Sequence, residues 1–488
     1  MIVSAYKLQG QRHVFFLGGS VAKVVIVLLI ISGIINMFEM HKGMVLGIIA
    51  QFLQYGAALL LLPLIVIYLP AEEVGIWYVF MAVQGLAMLM DFGFQPTFSR
   101  SFALAFAGAQ KLLQEGIAAT EKAAPNLRMV ADILSTARFI YGAVALLVFI
   151  LLATGGTLYI SALVKGYSVD SSLILIAWLV FSVAVSLNMY FMWVSPLLIG
   201  SDNVDKNYFY LIVNRITFCL VGGAGLMFGG GLVGLSVSLL VGVIVARLAI
   251  NFILKPIIFD LPEKKALYRP GIFKAIWLNA GKLGLVSVGA FLIARANMFV
   301  VSAYFGLSAA ASYGISIQVF TVISSVSQLS FQVNLPAMVS ARVLNELGRL
   351  KKIFYRSTLF YFICFSCGSA LVLLVGQILL DYIGSNAQLL DENLLYLLAV
   401  IIALEGNHSN SALVITTANR VPFVYPALVS GAAIISLSFA LSSFGMGLIW
   451  VILTQGFVQL SYNNWKWPYM VYLELRNHKT TGAGRKTI

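Results

Sequence analysis

Three charged side chains lie inside long apolar stretches, where a charge needs either a partner or a function. Arg295 stands in the run GKLGLVSVGAFLIARANMFVVSAYF, thirteen residues after Lys282. At about 1.5 Å per residue, a helix places Arg295 roughly 20 Å beyond Lys282, too deep to reach bulk water easily. A guanidinium at that depth suits a phosphate or another anion in a cavity. The alternative is an ion pair with Asp91 or Glu405 on another helix.

Asp91 and Arg100 belong to the segment MAVQGLAMLMDFGFQPTFSR, which starts as an apolar helix. Nine residues are about two and a half helical turns, so the two side chains do not form a pair on one helix face. Gly93 and Pro96 predict a bend or break between them. We expect Arg100 at the cytoplasmic interface. We expect Asp91 to lie deeper. It is either a site for a coupling ion or proton, or a hydrogen-bonding group that ties helices together.

Glu405 interrupts another apolar run, LLAVIIALEGNHSNSALV, together with His408. This polar break predicts either a coupling-ion or proton site, with His408 assisting, or a hydrogen-bonded packing cluster. We predict no catalytic residue and no metal site. Weaker candidates for the lining of a cavity are Arg215, Lys282 and Gln54.

The amino-acid composition indicates which environment surrounds these charges. Of the 488 residues, 60% are hydrophobic and only 10% are charged, and the mean hydropathy is +0.95. A soluble globular protein would be about one quarter charged. The sequence therefore predicts an all-α integral membrane protein. The net charge of +13 is typical of basic cytoplasmic loops, and we expect no nucleic-acid partner.

Twelve apolar segments are each long enough to cross a bilayer. Before them lies a further apolar run, 14–37, which predicts an additional N-terminal helix outside the twelve-span unit. The twelve segments are 43–69, 74–97, 131–154, 171–199, 207–228, 231–254, 275–304, 308–336, 354–379, 392–417, 421–441 and 445–474.

Basic residues concentrate in every second connection, which places both ends of the twelve-span unit in the cytoplasm. The chain also contains a faint repeat in which Gly75 corresponds to Gly314 and Arg100 to Arg342. Six spans per repeat give two six-helix lobes in the same orientation, a parallel duplication. The predicted parts are a tail with the extra helix (1–42), an N-lobe (43–254), a cytoplasmic connector (255–274), a C-lobe (275–476) and a basic cytoplasmic tail (477–488).

The segment LPAEEVGIWYVFMAVQGLAMLMDFGFQPTFSR resembles the first hairpin of bacterial O-antigen and polysaccharide flippases, members of the superfamily that also contains multidrug exporters. Asp91, Gly93, Phe94, Pro96 and Arg100 fill the pattern. The segment PAMVSARVLNELGRLKKIFYRS resembles the matching part of the second half through Pro336, Ser340 and Arg342.

The resemblance implies a two-lobed transporter that works by alternating access in the bacterial inner membrane. Its cargo would be an oligosaccharide linked to undecaprenyl pyrophosphate, and Arg295 would meet the diphosphate. A coupling Na⁺ or H⁺ is expected, but no other cofactor. Besides the lipid bilayer, the implied partners are a polysaccharide polymerase and a chain-length regulator.

Two other functions remain open. A multidrug or cation exporter of the same superfamily is the nearer alternative. A membrane-bound polysaccharide polymerase or ligase would need a substantial outer loop with catalytic residues. The longest outer connection, 155–170, contains one lysine and one aspartate, so we consider an enzyme the weaker alternative.

Overall fold

The computed structural model describes residues 42–110, 124–167, 170–259, 261, 269–418 and 420–476, and helices form nearly all of these residues. No strand occurs in these residues. The predicted helix in 14–37 and the tail 477–488 lie outside them. Each of the twelve predicted spans coincides with one helix or with consecutive helices in line, so the predicted all-α membrane fold is confirmed.

Two groups of helices correspond to the two predicted lobes. The N-lobe contains α1 (Lys42–Tyr68), α2 (Ala71–Met88), α3 (Phe94–Phe106), α4 (Leu127–Leu151), α5 (Thr157–Leu163), α6 (Ser171–Tyr190), α7 (Val194–Gly200), α8 (Val204–Met227) and α9 (Gly231–Phe259). The C-lobe contains α10 (Pro270–Ala294), α11 (Asn297–Tyr304), α12 (Gly306–Ser327), α13 (Leu329–Val343), α14 (Leu347–Tyr382), α15 (Glu392–Thr416), α16 (Val424–Ser443), α17 (Leu448–Ser461) and α18 (Asn463–Arg476).

Several spans are broken within their length, and the break in the second span was predicted from Gly93. After α2 the chain makes one short turn of 3-10 helix. Phe92 and Gly93 then adopt positive φ angles of 48° and 76° before α3 begins. Glycine adopts this left-handed conformation at low cost. In the twelfth span, Tyr462 separates α17 from α18. The other eleven spans of the described residues are long and apolar enough to cross a membrane.

Within each lobe the helices pack on one another, and the lobes meet mainly along α2 and α12. In the N-lobe, α8 packs against α1 and α9, and α9 packs against α6. In the C-lobe, α10 packs against α16, and α15 packs against α18. The Arg342 side chain ties the C-lobe helices together through an ion pair with Glu474 and a 2.7 Å hydrogen bond to the Thr417 hydroxyl.

Hydrogen bonds join the two lobes at one end of the molecule, which we call the sealed end. It contains the loops around residues 69–70, 164–167, 228–230, 305, 383–391 and 444–447. The backbone N–H of Asn386 donates to the carbonyl of Val66 at 2.7 Å, and its side chain donates to the carbonyls of Ile67 and Leu69. The Tyr167 hydroxyl accepts from the N–H of Leu307 at 3.2 Å. We call the opposite end, where the basic connections lie, the basic end.

Candidate functional site: a cavity between the lobes

A cavity of about 940 Å³ lies between the two lobes and extends toward the basic end. Residues of α1, α2, α3, α6, α7, α8 and α9 line it from the N-lobe, and residues of α10, α11 and α12 line it from the C-lobe. Tyr78 and Gly314 lie at its sealed side, whereas Ile199 and Asn207 lie toward the basic end. The cavity is therefore positioned where a ligand would contact both lobes at once.

Arg215 and Arg295 are the charged side chains of the described cavity lining. Arg215 belongs to α8 in the N-lobe, and Arg295 follows α10 in the C-lobe. Counted along the helices from the sealed end, they lie roughly 18 Å and 14 Å deep, close to the middle of a bilayer core of about 30 Å. No aspartate, glutamate or lysine is among the lining residues of the described chain, so the cavity is cationic.

Arg295 lies at a break within the seventh span. It caps the end of α10 with φ −129° and ψ −26°, and α11 starts two residues later. Its Cδ lies close to Gly85 of the N-lobe, because a Cβ built there would be 3.9 Å away. The ion pairs among the described residues are Arg269–Asp132, Arg342–Glu474 and Arg349–Glu346. Among the described residues, Arg295 therefore forms no ion pair with Asp91 or Glu405.

Arg215 forms part of a polar stripe on α8 that the sequence analysis missed. Asn207, Tyr210, Asn214 and Arg215 all line the cavity. Their spacing of three, four and one residues repeats along one face of a helix, so a search for polar periodicity within the fifth span would have found them. Amides and a phenol next to a guanidinium can donate hydrogen bonds to oxygen atoms of a ligand.

Gln54, a candidate from the sequence, also lines the cavity, and other polar groups extend this lining. Gln318 of α12 donates to the carbonyl of Ala58 in the N-lobe at 2.8 Å, so it links the lobes at mid-depth. Arg100 is exposed on α3 and is not part of the cavity lining. The side chain of Lys282 lies outside the described part of the chain. Further polar lining residues that sequence reasoning missed are Tyr78, Gln84, Gln95, Asn188 and Ser195.

Asp91 lies outside the cavity lining and hydrogen-bonds to neighbouring groups of the N-lobe. The hydroxyl of Tyr141 on α4 donates to Asp91 Oδ1 at 2.7 Å. The backbone N–H of Gln95 at the start of α3 also points to Asp91, at 3.5 Å. These contacts correspond to the second interpretation of Asp91, in which the carboxylate holds helices together across the break at Gly93.

Glu405 lies inside the C-lobe at the end of a chain of polar side chains. Gln455 Nε2 donates to Glu405 Oε1 at 2.9 Å, and Asn297 Nδ2 contacts Gln455 Oε1 at 3.4 Å. Asn297 lies close to Tyr313, which lines the cavity. The buried Oδ1 of Asn297 has no hydrogen-bond partner in the described residues. These side chains therefore lead from the cavity wall to a partly buried carboxylate.

His408 does not share the hydrogen bonds of Glu405 in the described chain. Its Nδ1 lies 2.7 Å from Oδ1 of Asn464 on α18, so the ring donates to this amide oxygen. The described residues contain no group of three or more histidine, cysteine, aspartate or glutamate side chains that could hold a metal ion. Glu405 and His408 therefore belong to two separate hydrogen-bonded clusters inside the C-lobe.

Solved structures of transporters share this arrangement of helices. The inward-facing form of a multidrug resistance MATE family transporter of the MOP superfamily aligns with 91% of this chain and 100% of its own, at 13% identity and a TM-score of 0.59. The outward-facing form of a multidrug resistance MATE family transporter aligns with 90% of this chain and 97% of its own, at 12% identity and a TM-score of 0.59. The chain has the MATE transporter fold.

A second kind of transporter shares the MATE fold with this chain. A MOP superfamily transporter from Pyrococcus furiosus, whose binding pocket is described as having reverse polarity that suggests a different function, aligns with 90% of this chain and 96% of its own. The identity is 11% and the TM-score 0.52. The sequence matches no family model and none of the curated proteins. The resemblance to O-antigen flippases therefore rests on the sequence motifs alone.

Proposed function

We propose that the protein is a multipass membrane transporter that works by alternating access and whose cargo carries negative charge. The single observation that carries the proposal is the charge of the cavity, which Arg215 and Arg295 line without any described carboxylate. Two positive charges attract an anion and repel a cation, and both interactions are stronger in a partly buried cavity than in water. The MATE fold of the chain supports the transport mechanism.

The arrangement of the lobes supports a state that is open toward the basic end. The lobes are joined by hydrogen bonds at the sealed end, and the cavity extends away from it. By the distribution of basic residues, the basic end faces the cytoplasm. Cargo would then enter from the cytoplasmic side, and rocking of the lobes along α2 and α12 would expose it on the other side.

The narrower cargo that we propose is an oligosaccharide linked to undecaprenyl pyrophosphate. A diphosphate offers several anionic oxygens to the guanidinium groups of Arg215 and Arg295. The amides and phenols of the lining suit sugar hydroxyls. The hairpin motif with Asp91, Gly93 and Arg100 supports this cargo, which would be flipped in the inner membrane of a bacterium. The polymerase and the chain-length regulator stay predictions.

A multidrug exporter is the second candidate, and the solved structures favour it over an O-antigen flippase. Two of the similar structures are described as a multidrug resistance transporter. The volume of about 940 Å³ lies at the upper end of pockets that bind drug-sized ligands, about 300–1,000 Å³. The Pyrococcus furiosus transporter, with its pocket of reverse polarity, indicates that pocket charge varies within this fold. An exporter of anionic compounds would reconcile the fold with the cavity charge.

Coupling to an ion gradient is the remaining part of the proposal. Glu405 is the best-placed carboxylate, because the hydrogen-bonded side chains of Gln455 and Asn297 lie between it and Tyr313 of the cavity wall. Binding of H⁺ or Na⁺ at Glu405 would change this hydrogen-bonded chain and thereby the packing of α12 against the N-lobe. Asp91 is the weaker coupling candidate, since its hydrogen bonds remain within the N-lobe.

Transport in proteoliposomes tests the proposal directly. Uptake of a lipid-linked oligosaccharide and of a cationic dye is compared for the wild type, Arg295→Gln, Arg215→Gln and the exposed control Arg356→Gln. Loss of hydrogen bonds to a charged group costs about 1.5–3 kcal/mol. Each cavity variant should therefore transport the anionic cargo at about one tenth of the wild-type rate or less. Transport of the dye alone, unchanged in all variants, would overturn the proposal in favour of a cation exporter.

A further inference from the structure

Two arginines of the N-lobe lie outside the cavity, and the sequence analysis missed both. The guanidinium carbon of Arg138 on α4 lies 4.3 Å from the centre of the Trp193 ring. That of Arg247 on α9 lies 4.9 Å from the same ring and 5.2 Å from the Phe191 ring. None of the ion pairs among the described residues includes either arginine. We call Arg138, Arg247, Trp193 and Tyr190 the arginine cluster.

The arginine cluster contains hydrogen-bond donors that lack an acceptor. Nη1 of Arg247 and Nε1 of Trp193 are both buried, and neither has a hydrogen-bond partner in the described residues. Guanidinium and indole N–H groups only donate. Buried polar groups of native proteins are nearly always paired, so an acceptor is expected beside these donors.

Electrostatics gives a second reason to expect an anion. The guanidinium carbons of Arg138 and Arg247 lie 4.3 Å and 4.9 Å from the centre of the same Trp193 ring, so the two positive charges are close enough to repel each other. Cation–π contacts with Trp193 and Phe191 offset part of this repulsion. In a partly buried site, where charges are poorly screened, a bound anion would relieve the remainder.

The surroundings of the cluster face outward rather than into the cavity. Phe191 and Met192 line the cavity, whereas Arg138, Arg247 and Trp193 do not. The turn of Phe191–Trp193 therefore separates the cluster from the cavity. Large exposed apolar side chains surround it on α4, α6 and α9, as on a surface that contacts lipid; they are Phe139, Tyr190, Leu248 and Phe252.

The depth of the cluster coincides with the boundary of one leaflet. Arg247 lies sixteen residues after Gly231, where α9 begins at the sealed end. This distance is about 24 Å, so Arg247 approaches the basic-end boundary of a hydrocarbon core of about 30 Å. A long arginine side chain can extend from there to the phosphate level.

We propose that Arg138 and Arg247 bind the phosphate of an anionic phospholipid at the lipid-facing surface of the N-lobe, in the leaflet at the basic end. Two guanidinium groups present planar pairs of donors that match phosphate oxygens. Basic pockets between membrane helices on the cytoplasmic side suit such head groups. The bound lipid would tie α4, α9 and the turn of Phe191–Trp193 together, independently of the cargo in the cavity.

Native mass spectrometry and thermal unfolding of the purified full chain test the proposal. Phosphatidylglycerol, phosphatidylcholine and inorganic pyrophosphate are added separately to the wild type, to Arg138→Gln/Arg247→Gln and to the control Arg356→Gln. Arg356 is also an arginine near the basic end, exposed on α14. We expect phosphatidylglycerol to bind and stabilise the wild type and the control, and to bind the double variant about tenfold more weakly.

Two outcomes would overturn this assignment. Equal retention of phosphatidylglycerol by the double variant would show that other basic groups bind the lipid. Stabilisation by pyrophosphate as strong as by phosphatidylglycerol, and lost in the double variant, would make the cluster a site for a soluble anion. If the double variant does not fold, the single variants Arg138→Gln and Arg247→Gln take its place; unchanged phosphatidylglycerol binding in both would exclude the arginine cluster as the lipid site.

Discussion

Gly75 of α2 lies directly against the backbone carbonyl of Leu307 in the other lobe. A Cβ at Gly75 would be 2.0 Å from this oxygen, and one at Gly314 would be 2.2 Å from the Tyr78 ring. The two glycines that the sequence repeat aligned thus permit a close approach of α2 and α12 from both sides. Gly75 brings two backbones into direct contact near the sealed end, and Gly314 makes room for the Tyr78 ring.

Gly75→Ala should open the sealed end. The added methyl group must displace the backbone at Leu307, and overpacking of this kind costs about 1–3 kcal/mol. Because about 1.4 kcal/mol is a factor of ten in an equilibrium, the population open at this end should rise about tenfold. Spin labels at Phe228 and Phe444, exposed residues on sealed-end loops of different lobes, report the separation by pulsed electron resonance.

Gly348→Ala is the matched control, since open space surrounds that position on α14. Unchanged label distances are expected there. A Gly75→Ala variant with the wild-type distance distribution would contradict the role of Gly75 in closing the lobes.

Asn386→Ala should shift the same equilibrium by another route. The substitution removes the side-chain hydrogen bonds to the carbonyls of Ile67 and Leu69 but leaves the backbone bond to Val66. The net loss of two hydrogen bonds is about 1–3 kcal/mol. We expect the label pair to report more of the open state in Asn386→Ala. In Asn386→Gln, whose side-chain amide can restore one of the two bonds, the shift should be smaller. Identical distances in Asn386→Ala would mean that these two side-chain hydrogen bonds do not hold this end together.

Tyr141→Phe should destabilise the N-lobe without changing the ion dependence of transport. Asp91 would lose its 2.7 Å hydrogen bond, and a poorly satisfied carboxylate costs about 1–3 kcal/mol. Thermal unfolding in detergent measures the loss, and Tyr472→Phe, an exposed phenol, serves as the control. If Asp91→Asn kept full stability but abolished the response to an ion gradient, Asp91 would be a coupling site and not a structural one.

Glu405→Gln should uncouple transport while leaving the fold intact. The glutamine oxygen can still accept the hydrogen bond from Gln455, so stability should change by less than about 1 kcal/mol. The variant can neither bind a proton nor carry the charge that attracts Na⁺. Transport should proceed at the same rate with and without a pH or Na⁺ gradient, whereas Glu392→Gln, exposed in the first turn of α15, keeps the gradient response. A full response in Glu405→Gln would contradict coupling through this carboxylate.

Much of the fold was predictable because the bilayer imposes the length and apolarity of each span. The break near Gly93 was also predictable, since glycine adopts positive φ angles readily. The break at Arg295 was not, because neither glycine nor proline marks it. It depends on the packing of α10 and α11 against other helices, which a single sequence does not reveal.

The site was predicted only in part. The depth of Arg295 followed from counting residues along a helix, and the cavity does contain this side chain. The partners of Asp91 and Glu405 belong to helices that are fifty residues away in sequence, so no local pattern indicates them. Arg138 and Arg247 stand within predicted spans and were overlooked, although charges inside spans were the chosen signal.

Thermal unfolding with added ligands tests the central claim, an anion-binding cavity, most directly. The purified wild type and Arg295→Gln are unfolded with an undecaprenyl-pyrophosphate oligosaccharide and, separately, with a panel of cationic drugs. A ligand that binds the folded state raises the melting temperature by mass action. We predict a rise with the lipid-linked oligosaccharide that Arg295→Gln largely removes. A rise with the drugs alone, equal in both proteins, would contradict the account and make Arg295 a structural charge.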